Sequence, residues 1–558
     1  MTAHLLIGPV LRRVVGDKAT VWVETTEPAS VRVEVEGGAG GSAHTFTAYG
    51  HHYAIVVVEG LVPGAANPYT MLLDDRTVWP PEDSSYPRSV IRTRPANDDD
   101  HPVTLTFGSC REATPHAVTR NLPPDALDAL SRRLVGAPDN PEVWPDLIVL
   151  LGDQVYADKP TAKVKRFLRR RRAAGHHGPH DQVVSFDEYT KLYLESWRDP
   201  EVRWLFATVP SVMIFDDHEI IDDWNTSAAW RADMSRQSWW RERISAGLAS
   251  YWIYQHLGNL TPEELVADPL FQKITAAQDA TGLLHDFGLA VDKPESAENT
   301  DHPYPWSFAV DLGRTRLVVL DNRCSRVLTS GAREMLPAPE WSWFVEQANG
   351  DFDHLVVGSS LPWLMPPAIH HGEAWNERNA DSSNPRRAAN AELLRRIFDL
   401  EHWAAFHNSF DALADLFREL GSRDGRAPLS ISVLSGDVHH SYVARAELGV
   451  RTPVHQLTCS PIHNQAPAVM RPIMRFGWSR LAARCMRRLA RSTGAPEPSF
   501  SWRRLAGPYF GNAVSTLRHH GGAAEMTIEG TDPDGHLFEV ATVSLTGVRR
   551  GPARPVGT

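Results

Sequence analysis

Six short apolar runs, each stopping abruptly at polar residues, constrain the fold of this chain more than any other feature. They are Val103–Phe107, Leu147–Leu151, Val212–Phe215, Leu317–Leu320, Leu355–Val357 and Ile431–Leu434. Runs of this kind read as strands of a sheet covered on both faces. The longer segments between them are partly helical, notably 125–135, 187–198, 236–257 and 386–420. Strand–helix alternation predicts a layered α/β domain. The intervals 159–200 and 225–300 exceed simple crossovers and read as helical insertions.

Ahead of these runs the texture is different. Residues 19–24 and 31–36 alternate apolar with polar, as half-buried strands do, and 54–58 forms a further apolar run. Leu61-Val-Pro-Gly, followed by Tyr69, resembles the turn and tyrosine of fibronectin type III sandwiches. Asn97-Asp-Asp-Asp-His-Pro102 is a polar linker. The expected organisation is therefore a β-sandwich over 1–97, a layered α/β domain over 102–546, and a disordered tail at 547–558.

At 558 residues the chain is too long for one compact core, which agrees with two domains. Its net charge of −11 argues against bulk nucleic-acid binding. The N-terminus carries its arginines, Arg12 and Arg13, after the short apolar stretch, unlike an export signal. No apolar run approaches the roughly 20 residues a membrane helix needs. Four cysteines in this length do not make a disulfide framework. The expected compartment is the cytoplasm, and the oligomeric state is left open.

The loops at the ends of these strands carry the chemistry. The first run leads into Gly108-Ser-Cys110-Arg, the second into Gly152-Asp153-Gln-Val-Tyr156-Ala-Asp158, and the third into Asp216-Asp217-His218-Glu219. The run at 317–320 leads into Asp321-Asn-Arg323, and the last into Ser435-Gly436-Asp437-Val-His439-His440. Ligand sites in α/β sheets gather at the carboxyl ends of strands, so these loops can converge on one crevice. They bring carboxylates, imidazoles, a thiol and a phenol, all metal-ligand chemistries. A bridging carboxylate lets two cations sit about 3.5–4 Å apart, where they activate water and clamp the oxygens of a phosphoryl group. Asp437 and His439, two residues apart, would share one side of an extended segment.

These motifs, in this order behind a β-sandwich, resemble the alkaline phosphatase D (PhoD-like) family. That family belongs to the calcineurin-like metallophosphoesterases. The resemblance spans roughly residues 5–545 and implies a calcineurin-like layered domain acting on small phosphate esters, monoesters or diesters. It implies that Cys110, Asp153, Tyr156 and His439 surround a ferric ion. Asp153 would bridge to a second, divalent site, calcium in the family's best-understood form, held also by Asp217 and Asp437. Manganese and zinc are the alternatives. His218 would contact the phosphate or leaving group, and Arg323 would bind phosphate oxygens. Thiolate and phenolate suit a trivalent polarising ion, and carboxylates a hard cation.

The chain departs from the family pattern twice. Gly358-Ser359-Ser360 stands where the superfamily has a histidine, and Glu401-His402-Trp403 where the family has Asp-x-Trp. Other features read as ordinary structure: His176, His177 and His180 in a solvated loop, and Cys324, Cys459 and Cys485 in core or helix. His370-His371 stands between a core and a pocket-rim position. The basic stretches 163–172 and 471–491 read first as solvated helical faces. Their functional alternatives are attraction of anionic substrates or weak contact with acidic lipid surfaces. Two rival classes remain: a hydrolase with Cys110 or Ser109 as nucleophile, and a non-enzymatic β-sandwich scaffold with a vestigial second domain.

Overall fold

The computed structural model describes residues 2–113, 122–292 and 304–547. Apart from Gly547, the expected tail lies outside the described residues, as do 293–300 of the second insertion. The N-terminal part is a β-sandwich. One sheet runs Leu5–Val15, Lys18–Thr25, His51–Val58, Phe46–Ala48. The other runs Gly40–His44, Ser30–Val35, Ala66–Leu73, Arg76–Trp79, with Val90–Arg92 paired to Ala66–Leu73. The pleat explains the alternation in the sequence: Val31, Val33 and Val35 are buried while Arg32 and Glu34 are exposed.

All six apolar runs are strands, three in each of two further sheets. The first sheet is ordered Ser211–Ile214, Leu147–Leu151, Val103–Gly108, Ala513–His520, Ala523–Thr531, Leu537–Ser544. The second is ordered Phe308–Leu312, Thr315–Leu320, His354–Ser359, Ser430–Ser435, Val454–Thr458, Ser441–Glu447, Ser501–Tyr509. Within each sheet the three strands run parallel, so their carboxyl ends open at one edge. Leu147–Leu151 and Ser430–Ser435 are buried at every residue, which is why they read as continuous runs and not as alternating ones.

The region 386–420 is not one helix. Helices Pro385–Ile397 and His407–Gly421 are separated by a short 3₁₀ turn at Trp403–Ala405. Asp399 carries a φ of 48° in this break. The interruption brings Glu401 and His402 into the interior.

The sandwich is pinned to the α/β layers by polar contacts. Arg12 Nη2 donates to the carbonyl of Gln255 at 2.6 Å, and Arg13 Nη1 to that of Asn259 at 2.8 Å. Both arginines are buried, which assigns them to this junction. Tyr69 Oη donates to the carbonyl of Ala207 at 2.7 Å. His370 and His371 are buried, and His370 packs against Phe410 and Trp502, so the pair belongs to the core. His176, His177 and His180 are exposed. Among the described residues, no helix is long and apolar enough to cross a membrane.

Candidate metal centre

The strand-end loops converge. Two glycines make this possible by standing directly before the two central carboxylates. A Cβ on Gly152 (φ 104°) would lie 2.5 Å from Asp216 Cβ, and one on Gly436 would lie 2.0 Å from Ser109 Oγ. Only glycine lets the loops close to this distance. Cys110, Asp153, Asp437 and His439 themselves have φ of 58°, 52°, 61° and 49°. Four non-glycine residues in the left-handed region, about 1–3 kcal/mol each, are the kind of strain retained at functional sites.

Asp153 stands at the middle of the cluster. Its Oδ2 lies 3.3 Å from Cys110 Sγ and 3.5 Å from Tyr156 Oη. Asp153, Asp217 and His218 bring donor atoms within 4.8 Å of one another, as do Asp216, Asp217 and Asp437. Donors therefore run from the thiol and phenol through Asp153 to Asp217 and on to Asp437. Asp153 Oδ1, Asp216 Oδ2 and Asp217 Oδ1 are buried without a hydrogen-bond partner among the described residues. Orphaned carboxylate oxygens packed this closely fit a cation that would satisfy and neutralise them.

The electrostatics agree. Burial, then repulsion from Asp216, Asp217 and Glu219, pushes the Asp153 carboxyl well above the ordinary range, with His218 opposing. Burial lifts Asp217 to about 6, opposed by Arg323 and His218. Asp437 goes the other way: burial is outweighed by the nearby His402 imidazole, then by Arg323, leaving it at about 2. Burial, then the Asp153 and Asp437 charges, raises the Cys110 thiol well above its usual value. Without a cation beside it, this thiol stays protonated and is a poor nucleophile.

Supporting contacts hold the loops. Glu219 accepts from the backbone N–H groups of Asp153 (3.0 Å), Gln154 (2.7 Å) and Asp216 (2.9 Å), tying two strand ends together. Asn464 Nδ2 donates to Tyr156 Oη at 2.9 Å. The Asp437 N–H donates to Ser109 Oγ at 3.0 Å. His218 Nδ1 donates to Asp158 at 2.9 Å, and its Nε2 lies 3.5 Å from Lys159 Nζ. Burial disfavours the imidazolium, but Asp158, Asp217 and Asp153 outweigh it and hold His218 well above its ordinary pKa.

Three expectations are changed. Asp437 and His439 do not lie on an extended segment. The His439 N–H bonds to the Asp437 carbonyl at 2.7 Å, so a tight turn sets where the pair points. His439 is half-buried, and neither it nor Cys110 falls within the close groups of imidazole, thiol and carboxylate donors. Burial, with His218 and Lys159 nearby, lowers His439 to about 4, which keeps its lone pair available. Arg323 is fully buried. It pairs with Asp216 and, at 2.6 Å, with Glu401, and its Nη2 lies 3.8 Å from Asp217 Oδ1. Its other nitrogens are taken up by these acids, and Nη2 is buried without a hydrogen-bond partner among the described residues.

Both departures from the family pattern are accounted for. Ser359 and Ser360 exchange hydrogen bonds of 2.8 Å with Asn322. His402 Nε2 reaches Asp437 Oδ2, so an imidazole stands beside a candidate ligand where the motif prescribes none.

Comparisons with known proteins bear on the fold that carries these loops. Residues 139–272 match the family model of the PhoD-like phosphatases, a stretch that contains Asp153, Tyr156, Asp217 and His218. The structure titled "Structure of PhoD" superposes with a TM-score of 0.55 at 12% identity, covering 96% of this chain and 92% of that one. Over residues 139–272 the chain is similar to the PhoD-like phosphatases. At this identity the superposition establishes the fold: a PhoD-like α/β domain behind a β-sandwich. Residues 2–91 match a domain of unknown function, DUF7800. A type III pullulan hydrolase from Thermococcus kodakarensis, at 9% identity with 95% and 94% of the two chains covered, has a TM-score of only 0.14 and carries no argument. No curated protein matches the sequence.

Proposed function

We propose that this PhoD-like chain hydrolyses small phosphate esters with a pair of metal ions. The observation that carries the reading is the position of Asp153, which touches Cys110 and Tyr156 on one side and clusters with Asp217 and His218 on the other. Cys110, Tyr156, Asp153 and His439 would hold one ion, and Asp153, Asp217 and Asp437 the second. The thiol and phenol favour a ferric ion in the first position, and the carboxylates favour calcium, or manganese or zinc, in the second. Bound there, such ions would make water acidic enough to attack and would offset charge on phosphate oxygens.

The remaining steps belong to the side chains. Asp158 accepts a hydrogen bond from Nδ1 of His218, which fixes the ring, and its negative charge favours the imidazolium, the form that carries a proton on Nε2. Nε2 can then give its proton to the departing oxygen. Lys159 and His218 add positive charge that draws an anionic ester in. Arg323 acts as a positioning residue, holding Asp216 and Glu401 so that Asp217 keeps its place. A nucleophilic Cys110 is disfavoured by its raised pKa.

The test is a panel of phosphate monoesters and diesters run with metal analysis on the same preparation. Hydrolysis that follows metal content and is lost on chelation is the expected result. Full turnover by metal-free protein would return the reading to a thiol or serine nucleophile. A metal-free, inert chain would favour a scaffold.

A further inference from the structure

The basic stretch near 471–491 forms two consecutive helices, Met470–Gly477 and Arg480–Ser492. Residues 469–492 contain seven arginines and no acidic residue, in a chain whose net charge is −11. The pair also leaves large apolar side chains in the open: Val469 is 68% exposed, Ile473 43%, Phe476 60%, Leu481 64% and Leu489 40%. Their spacing is helical. Val469, Ile473 and Phe476 fall at i, i+4 and i+7, and Leu481, exposed Cys485 and Leu489 at i, i+4 and i+8. Each helix therefore presents an apolar stripe flanked by arginines.

The contrast with the other basic stretch is informative. In helix Ala162–Ala173, Arg171 and Arg172 both pair with buried Glu188, so part of that charge is spent inside the fold. In the 469–492 pair, Arg487 and Arg491 share the single carboxylate of Glu497. The inner side of Arg480–Ser492 is seated on helix Pro367–Ala380, where a Cβ on Gly372 would come within 3.3 Å of Met486. Among the described residues, the apolar tips on the outer side stay exposed.

The pair also lies next to the metal centre. Asn464, which donates to Tyr156, precedes the first helix by a few residues. His440, adjacent to His439, stacks on Phe510 at 5.6 Å, and the Arg475 guanidinium sits over the same ring at 5.1 Å.

We propose that residues 469–492 dock on the anionic surface of a lipid bilayer and hold the metal centre at that interface. Arginines around an apolar stripe are complementary to such a surface in both respects: guanidinium groups meet lipid phosphates, and apolar tips enter the acyl boundary. A nucleic acid would satisfy the arginines but leaves no use for exposed Val, Ile, Phe and Leu. This inference does not depend on the hydrolytic reading, because docking is measured without turnover.

The experiment is co-sedimentation of the full chain with phosphatidylcholine vesicles, with and without a minority of phosphatidylglycerol. Binding is expected only to the anionic vesicles, weakening as salt rises. Phe476→Ser with Leu481→Ser should lower partitioning about tenfold or more. Arg484→Glu with Arg488→Glu should abolish it. Unchanged unfolding midpoints in both variants establish that the fold is kept. If either variant unfolds, the single changes Leu481→Ser and Arg488→Glu make the same comparison. No binding to anionic vesicles at low salt overturns the proposal. So does equal binding by the apolar variant, or tight binding of a single-stranded oligonucleotide that tracks the arginines alone.

Discussion

His402 Nε2 lies 3.3 Å from Oδ2 of Asp437, and its Nδ1 lies 2.8 Å from Oε1 of Glu373. One imidazole thus joins a buried glutamate to a candidate metal ligand. Such contacts fix the orientation of a ligating carboxylate, and removing them commonly costs about 10–100-fold in activity or metal affinity. His402→Ala is therefore expected to lower kcat by about that factor with the fold intact. Metal analysis alongside kinetics decides the role. Lost metal supports orientation of Asp437, whereas full metal with a raised KM moves His402 to the substrate side.

Asp153→Asn should remove both metals and abolish turnover. The amide keeps the shape but carries no charge, and its nitrogen cannot accept. Asp153 contacts both the Cys110–Tyr156 side and the Asp217 side, so its loss should not be confined to one ion. A variant retaining one full equivalent of metal would break the bridging assignment.

Arg323 offers a stability test. Replacing it with Ala leaves Asp216 buried without its cation and Glu401 with Arg326 alone, a change of about 3–5 kcal/mol when one partner of a buried pair is removed. A large drop in the urea midpoint, with any surviving activity showing a near-normal KM, is the expected outcome. Unchanged stability with a steeply raised KM would restore the phosphate-binding role that the sequence motif suggests.

The fold was legible in the sequence because its parallel strands are buried on both faces, so their apolar runs end sharply where the chain turns toward the candidate site. Asp153, Tyr156, Asp217 and His218 were legible for the same reason, lying in loops directly after such runs. Residues that act across the chain were not. Glu219 closes the Asp-Asp-His-Glu motif, but nothing local says that it accepts three backbone N–H groups from two loops. His402 was visible only as a departure from a pattern, because its helix-rich surroundings gave no sign of the break at Asp399. The expected extended pairing of Asp437 with His439 failed because strand periodicity was carried into a turn with positive φ.

The junction between sandwich and α/β layers should be sensitive to alkali. His51, on the sandwich, lies 3.1 Å from Glu24 and 3.5 Å from Asp187 of helix Phe186–Trp197. Burial opposes its charge, but Asp187 and Glu24 outweigh it and raise the pKa to about 9. Unfolded histidine titrates near 6.5, so this stabilisation is fully present below about pH 6.5 and lost as pH rises through about 9. Thermal midpoints should fall between those values in the wild type and fall less in His51→Gln. Parallel pH curves for the two proteins would assign the alkaline loss elsewhere.

Colour tests the identity of the ion beside Tyr156. A phenolate and a thiolate donate charge into an oxidised metal, so a ferric ion held by Tyr156 and Cys110 should give a broad visible band. Zinc, manganese and calcium lack a comparably low-lying acceptor, and protein loaded with them should be colourless. Tyr156→Phe should remove or shift the band, and dithionite should bleach it. Asn464 supplies a finer control, because it donates to Tyr156 Oη at 2.9 Å and draws electron density from that oxygen. Removing the donor in Asn464→Ala raises the phenolate's donor energy, so the band should move to longer wavelength without disappearing. Protein from iron-replete expression that is colourless, iron-free and fully active would overturn the ferric assignment while leaving metal-dependent hydrolysis in place.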